Sequence, residues 1–361
     1  MGKLTYFGAG LQKSIYPKMK IQGVLISSAT EGKTERSILY RLKMLEKIQY
    51  QYMILDSGGY QLIAAEQKGN LKKSKIMDWL TPKHVMTSAA KFNPDIVMAL
   101  DYPILNISDP QKQVREFEKK IITNLRWSRE CIELKDSYCP QAQLFLPVQA
   151  YNTKQMDFFF TKLASTKFDG VSLPARNSSP PQIIQQLLFL HNIGIRKIHL
   201  LGTSTFTSII VSAFMAKHYF DWVSLDSTSW RQRAQYGLYL HPGNLSTIKI
   251  KPNRTYPSIK CSCPWCKYQN LYDLTNLPVT DCTFFVANHN YFVIENICRQ
   301  AFDHSDSINK LEKFSKLRIA NMPREKITNL FEALHLFEIL AGEQEGYKLL
   351  SKLFKKKQNK L

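Results

Sequence analysis

The sequence predicts a (β/α)₈ barrel of the TIM type with a zinc-binding subdomain inserted near the C-terminus. Short, nearly continuous apolar runs alternate with longer helical stretches, and a cysteine cluster follows the seventh run. Apolar strands joined by helices are typical of a parallel sheet that is covered on both faces. Seven or eight such units fit a closed barrel better than an open, doubly wound sheet.

Each predicted strand is a short run rich in β-branched and aliphatic residues. The seven strands are predicted at 23–28, 52–56, 96–101, 143–149, 170–174, 197–202 and 222–226. The clearest helices between or after them are predicted at 35–47, 111–134, 181–190, 205–218, 289–302 and 325–340. We divide the chain into the main barrel (1–245), a zinc-binding insertion (246–290), and C-terminal helices that complete the barrel and end in a basic tail (291–361).

Polar residues stand where the predicted strands end. They are Asp56, Asp101, Gln149 and Asp226, while Gly202 ends a further predicted strand. In a barrel all these ends meet on the face that carries active sites, so we expect a site with three carboxylates and one amide. The alternative is that an aspartate caps the next helix or closes a turn, which explains one of them more easily than three.

A cluster of thiols indicates a metal site. Cys261, Cys263 and Cys266 have the spacing Cys-x-Cys-x-x-Cys, and His289 follows as the predicted fourth ligand, with His304 as the fallback. Three thiolates and one imidazole suit tetrahedral Zn²⁺, and a closed four-ligand site is structural. The alternative is three reduced thiols in a loop.

Charge and cysteine usage narrow the class of protein. The chain of 361 residues has 49 Lys and Arg against 29 Asp and Glu, a formal charge of +20, which favours a nucleic-acid partner over a merely lysine-rich surface. Seven cysteines do not form a disulfide framework, and we expect a reducing, cytoplasmic location. The N-terminal segment has no apolar core and no apolar run approaches 18 residues, so we expect neither a signal peptide nor a membrane span. The tripeptide at 32–34 resembles the end of a P-loop, but Ser27 stands where that motif needs glycine.

Several motifs, in order along the chain, resemble those of the tRNA-guanine transglycosylase family, the queuine and archaeosine tRNA-ribosyltransferases. The matching segments are DSGGYQ (56–61), MALDYP (98–103), LPVQAY (146–151), HLLG (199–202), LDSTSWRQRAQYG (225–237) and the zinc run ending in the HN pair at 289–290. They extend over residues 50–300, most of the chain. The resemblance implies a barrel enzyme that exchanges a base in a nucleic acid.

The resemblance also implies roles for the polar residues at the strand ends. Asp226 is expected to be the nucleophile and Asp56 the general base, while Asp101 and Gln149 read the guanine. A carboxylate nucleophile suits base exchange because a covalent glycosyl-enzyme protects the sugar from water. We expect Zn²⁺ as a structural ion. The reaction itself needs neither a redox cofactor nor a catalytic metal.

The expected substrate contacts surround those four residues. They are Ser57, Gly58, Gly59, Tyr60, Tyr102, Ala175 and Gly202. Tyr60 and Tyr102 either stack on the extruded base or serve in packing. Arg231 and Arg233 follow the predicted nucleophile and either contact phosphates or are solvated surface residues.

Departures from the family pattern bear on the target. Pro174 and Ala175 replace a glycine pair at the base pocket, and we expect the C-terminal RNA-binding extension of archaeal members to be absent. These features slightly favour DNA over tRNA of the queuosine or archaeosine pathway. The expected co-substrate is a 7-deazaguanine base such as 7-cyano-7-deazaguanine, and the family commonly forms homodimers.

Two other functions remain open at this point. One is a catalytically inert subunit that binds RNA and supports a partner, which the presence of both Asp56 and Asp226 disfavours. The other is a zinc-dependent nucleic-acid-binding module without enzyme activity. Carboxylates on a phosphate-binding face disfavour that module, because like charges repel.

Overall fold

The eight strands of the computed structural model form one closed barrel of parallel strands in the order β1 to β8. The structure describes residues 2–12, 15–70, 73, 75–164, 166–176, 178–251, 254, 256, 259–266, 271–318, 324–343, 346 and 348–349. The barrel strands are β1 (Lys3–Ala9), β2 (Ile21–Ser27), β3 (Tyr50–Asp56), β4 (Ile96–Met98), β5 (Gln143–Pro147), β6 (Gly170–Pro174), β7 (Lys197–Leu201) and β8 (Trp222–Ser227). The predicted (β/α)₈ barrel is therefore confirmed.

Strand β1 is the one barrel strand that the sequence patterns did not single out. Its polar Thr5 and the glycine at position 8 interrupt the apolar run that marks the other strands. In the structure β1 pairs with β8 in parallel, from Lys3 opposite Trp222 to Gly8 opposite Ser227. Strand β1 is identified by its pairing with a strand more than 200 residues away in the chain, which no local sequence pattern can predict.

Helices follow most of the barrel strands, as the alternating pattern predicts. They are α1 (Glu35–Leu45), α2 (Tyr60–Gln67), α3 (Ile76–Trp79), α4 (Pro82–Phe92), α5 (Pro110–Tyr138), α6 (Thr153–Lys162), α7 (Pro180–Asn192), α8 (Phe206–His218), α9 (Ser229–Gln235), α10 (Leu271–Thr275), α11 (Val279–Asp303), α12 (Ile308–Lys316) and α13 (Arg324–Leu340). A small antiparallel sheet joins β9 (Leu238–Leu240) to β10 (Thr247–Lys249).

Side-chain caps determine where several helices begin. Asp109 accepts hydrogen bonds from the backbone N–H groups of Gln111 and Lys112 at the start of α5, where Pro110 occupies the first turn. Thr205 caps α8 in the same way through the N–H of Ser208. These caps satisfy N–H groups that have no partner inside the helix, so both starts follow from the local sequence.

The chain forms two compact units. Unit one contains Met1–Val24, Met44–Gln51 and Gly202–Glu332; unit two contains Leu25–Lys43, Tyr52–Leu201 and Ala333–Leu361. In unit one, the buried Trp230 packs edge-on against Tyr291, with ring centroids 5.7 Å apart. In unit two, the parallel pairs from β3–β4 to β6–β7 build the sheet that carries the predicted guanine-reading residues.

The predicted division of the chain at residues 245 and 290 stays a prediction. Helix α11 runs from Val279 to Asp303 and carries His289, so the helix predicted from residue 289 begins ten residues earlier. The basic C-terminal tail lies outside the described residues from 350 onward. Among the residues that are described, none of the helices combines the length and hydropathy needed to cross a bilayer.

Candidate active site and metal centre

A buried carboxylate, Asp101, is the centre of a polar cluster in unit two. It lies three residues beyond β4, and its side chain accepts hydrogen bonds from the Ser57 hydroxyl (2.8 Å) and the Gln149 amide (2.6 Å). The Gln149 carbonyl in turn accepts the backbone N–H of Ile104 at 3.0 Å. The three members of the cluster follow three neighbouring strands: Ser57 follows β3, Asp101 follows β4 and Gln149 follows β5.

Burial changes the acid–base behaviour of this cluster. Removal from water raises the pKa of Asp101 to about 6, and the hydrogen bonds from Ser57 and Gln149 lower it in part. A carboxylate that is 7% exposed and holds two donors can still accept further hydrogen bonds, because its two oxygens provide about four lone-pair sites. The cluster is thus suited to binding a ligand edge that donates N–H groups.

The backbone of the DSGG turn (56–59) packs closely against Asp101. Gly58 has φ +85°, and its N–H donates to the Asp56 carboxylate at 3.0 Å. A Cβ atom on Gly59 would lie 2.4 Å from Asp101 Oδ1. Glycine at 58 is required by backbone conformation and glycine at 59 by close packing, so the motif shapes the pocket in addition to allowing a ligand to approach.

The remaining predicted substrate contacts of unit two have different surroundings. Tyr60, the first residue of α2, is 61% exposed, whereas Tyr102 is 8% exposed. The Tyr102 ring stacks on Trp127 with centroids 6.3 Å apart. Ala175 is buried just after β6, and its N–H donates to the Leu201 carbonyl at 3.2 Å. Contact of these residues with substrate stays a prediction.

The second predicted carboxylate group is in unit one, where Asp226 lies within β8. It is 6% exposed, and its Oδ1 accepts the backbone N–H of Gly202 at 2.8 Å. Gly202 directly follows β7 and has φ +70°, a left-handed conformation that favours glycine. This contact orients the carboxylate that is predicted to be the nucleophile.

A chain of hydroxyl groups adjoins Asp226, and the sequence patterns did not identify it. The Ser227 hydroxyl lies 2.7 Å from that of Ser204, 2.8 Å from that of Ser229 and 3.1 Å from the Tyr6 phenol. Burial raises the pKa of Tyr6 well above its usual range, and the negative charge of Asp226 contributes to that rise. The phenol therefore stays protonated and can donate within the chain.

The two predicted phosphate contacts lie on α9, four and six residues after β8 ends at Ser227. Partial burial lowers the pKa of both Arg231 and Arg233 from their usual value. Arg233 donates to the Thr247 hydroxyl at 2.9 Å. Arg231 packs beside Gly10, where a Cβ would lie 3.2 Å from its Nε. Their role in nucleic-acid binding stays a prediction.

The predicted zinc ligands converge. One ligand atom from each of Cys261, Cys263, Cys266 and His289 lies within 4.8 Å of all the others. His289 Nδ1 lies 3.2–3.7 Å from the three sulfurs, while its Nε2 donates to the Leu240 carbonyl at 2.7 Å. That hydrogen bond leaves Nδ1 unprotonated and directed at the thiols, which is the tautomer a metal requires. The donor set and its geometry fit Zn²⁺.

The fallback ligand, His304, has other partners. Its Nδ1 bonds the Gln300 carbonyl at 2.8 Å, and its ring stacks on Phe314. His289, by contrast, stacks on Tyr239 with centroids 3.7 Å apart, and the Tyr239 hydroxyl lies 3.2 Å from the Cys266 sulfur. Histidine 289 is thus built into the thiol cluster, and the fallback is not needed.

The metal centre is connected to the segment that follows Asp226. Asn290, next to His289, accepts the N–H of Leu240 at 2.9 Å and donates to the carbonyls of Leu238 (2.9 Å) and Trp230 (3.2 Å). Trp230 is fully buried on α9 and donates to the Ala9 carbonyl at 3.0 Å. The HN pair at 289–290 therefore joins the zinc ligands to helix α9.

Comparison with known proteins agrees with these features. A family model described as queuine tRNA-ribosyltransferase matches residues 25–323. The tRNA-guanine(15) transglycosylase of Methanopyrus kandleri is 22% identical over 263 residues, which cover 68% of this chain and 49% of that protein. The chain thus spans about half the length of this curated relative. The match confirms the resemblance that the sequence motifs indicate.

Proposed function

The chain belongs to the queuine tRNA-ribosyltransferase family, and from that membership we propose that it replaces guanine in a nucleic acid by a 7-deazaguanine. The observation that carries the proposal is the buried Asp101 carboxylate with Ser57 and Gln149. Guanine presents N1–H and an exocyclic amine as donors and a carbonyl as acceptor. Asp101 accepts from the donors, and the Gln149 amide complements the carbonyl.

The proposed chemistry is a double displacement at C1′ of the target nucleotide. Asp226 attacks C1′ as the bond to guanine N9 breaks, which forms a glycosyl ester and releases guanine. The incoming 7-deazaguanine loses its N9 proton to Asp56, attacks C1′ and restores the Asp226 carboxylate. The hydrogen bond from Gly202 holds Asp226 in one orientation, which supports this role.

Zn²⁺ is proposed as a structural ion held by Cys261, Cys263, Cys266 and His289. All four ligand positions come from the protein, so the ion supplies folding energy and no open coordination site. Through Asn290 the ligands are linked to α9, which follows the nucleophile. The ion would therefore stabilise the position of this helix.

The polymer that carries the target guanine must bind by its phosphates and release one base from its stack. The charge of +20 supports such binding, and Arg231 and Arg233 are the proposed phosphate contacts nearest the nucleophile. The departures from the family motifs slightly favour DNA. The similarity to the tRNA-guanine(15) transglycosylase of Methanopyrus kandleri favours tRNA, which makes tRNA the second candidate.

A paired base-exchange assay tests the proposal. Radiolabelled guanine or 7-cyano-7-deazaguanine is incubated with the protein and either double-stranded DNA or bulk tRNA. We expect label to enter DNA; label in tRNA alone assigns the chain to tRNA modification. The absence of label from both polymers, with folded protein and bound zinc, contradicts the proposed activity and favours the inert RNA-binding subunit.

Base exchange is expected to weaken as the pH falls through about 6. Protonated Asp101 cannot accept both guanine donors, so kcat/KM for the base should follow ionisation of this buried carboxyl, whose pKa is raised to about 6. A pH profile of kcat/KM measures the effect. Asp101→Asn is the comparison variant, and a profile that keeps the same acid limb in this variant contradicts the assignment.

Unfolding caused by protonation of Asp101 does not explain such a fall of kcat/KM at low pH. Because burial raises the pKa of Asp101 above its unfolded value, the group favours folding most at low pH. That contribution is lost as the pH rises through about 6, which is opposite in direction to the expected activity. Thermal unfolding measured at the same pH values separates the two effects.

A further inference from the structure

The loop that carries Asp101 is held at four consecutive residues. Asp101 is bonded by Ser57 and Gln149, and both backbone groups of Tyr102 are bonded by Asn124, at 2.7 and 2.9 Å. The Ile104 N–H donates to Gln149, and its carbonyl accepts the Tyr151 hydroxyl at 2.8 Å. The position of the guanine-reading carboxylate is therefore set by contacts from several elements.

The remaining member of the loop, Pro103, is held by a buried lysine. Lys120 on α5 is 1% exposed, and its ammonium donates to the Pro103 carbonyl at 3.1 Å. It also pairs with the carboxylates of Glu66 (2.8 Å) and Glu116. An ammonium has three protons, and these three acceptors match them one for one.

Lys120 also contacts the segments that directly follow the two parts of the base-reading pocket, Asp101 and the DSGG turn. Its ammonium lies 4.5 Å from the centroid of the Tyr102 ring, directly after Asp101 in the chain. Its partner Glu66 lies on α2, the helix that begins immediately after the DSGG turn. A fully buried ammonium is stable only when its charged and hydrogen-bonding partners are held in place. The Lys120 ion cluster therefore links helix α2 to the loop that carries Asp101.

We propose that Lys120 is a positioning residue for guanine recognition: it joins the Asp101 loop and helix α2, and so keeps the two halves of the base pocket in register. This inference rests on the proposed base exchange. Lys120 does not touch the base; it acts through Pro103, Tyr102 and Glu66. Loss of the lysine should displace Asp101, and small displacements of a binding group lower reaction rates strongly.

The test is steady-state base exchange by Lys120→Met. We expect KM for the incoming base to rise about ten-fold while KM for the nucleic acid changes less than about two-fold, because the base binds through the pocket alone whereas the polymer is held mainly by its phosphates. Lys119→Met is the matched control: the neighbouring lysine also pairs with Glu66, at 2.6 Å, but its side chain is 61% exposed. This control should retain both KM values. Lys120→Arg should restore most of the affinity for the base, since it keeps a buried cation.

Glu66→Gln provides a second, milder variant in case Lys120→Met does not fold. It removes one charge of the cluster and keeps an acceptor, and it should raise KM for the base by about three-fold. An unchanged KM for the base in folded Lys120→Met, or in Glu66→Gln where the former does not fold, overturns the inference. Equal increases of both KM values also overturn it. Wild-type protein that exchanges no base at all overturns the proposed function instead, so the two failures are distinguishable.

Discussion

Replacing Asp226 by asparagine is expected to abolish base exchange and leave the protein folded. Asparagine keeps an oxygen that can accept the Gly202 N–H, but a neutral amide does not form the glycosyl ester. We expect the rate to fall by at least about 10⁴-fold, as for other lost nucleophiles. The rate of label exchange measures this, and a covalent adduct with the nucleic acid on a denaturing gel should form with wild-type protein only.

Asp221→Asn is the matched control for this experiment. The same substitution is made one residue before β8 begins, at an exposed aspartate beside the opposite end of the strand. This variant should exchange base at the wild-type rate. Substantial exchange by Asp226→Asn, with the variant's thermal unfolding unchanged, would exclude the covalent mechanism through this residue.

Replacing Cys263 by serine is expected to cause the largest loss of stability. Cys263 is completely buried and lies 3.4 Å from His289 Nδ1, so its thiolate cannot be replaced by water without opening the cluster. Structural zinc contributes about 10–16 kcal/mol to folding of small domains, and a lost ligand removes part of it. We expect less than one bound zinc per chain and a melting temperature lowered by roughly 5–10 °C.

Cys282→Ser is the control that distinguishes the effect of losing the metal from the effect of losing any one thiol. Cys282 lies on α11, the helix that carries His289, but it is not a member of the four-ligand cluster. The variant should bind one zinc and melt close to wild type. Metal analysis and thermal unfolding are the two measurements, and full zinc occupancy in Cys263→Ser would contradict the assigned ligand set.

The barrel, the three-cysteine run and the DSGG turn could be predicted from the sequence because each depends on residues that are close in the chain. Near-continuous apolar runs and intervening helices specify a parallel barrel whatever their detailed packing. Cys261, Cys263 and Cys266 are close in the chain, so their spacing alone brings three thiols together. The DSGG turn is likewise a local feature, and its glycines are required by the geometry at Gly58 and Gly59.

The tertiary structure alone decided which distant residues meet. Strand β1 is identified by pairing with β8, His289 is distinguished from His304 by its approach to the thiols, and Lys120 is connected to Asp101 through Pro103. The contacts of β1 and Lys120 have no sequence pattern of their own, because each joins groups separated by many residues. His289 was already the predicted fourth ligand, and its position beside the thiols removes the need for His304. A lysine on a helix usually reaches water. Only the packing of α5 against the loop after β4 makes Lys120 a buried partner of the proposed guanine pocket.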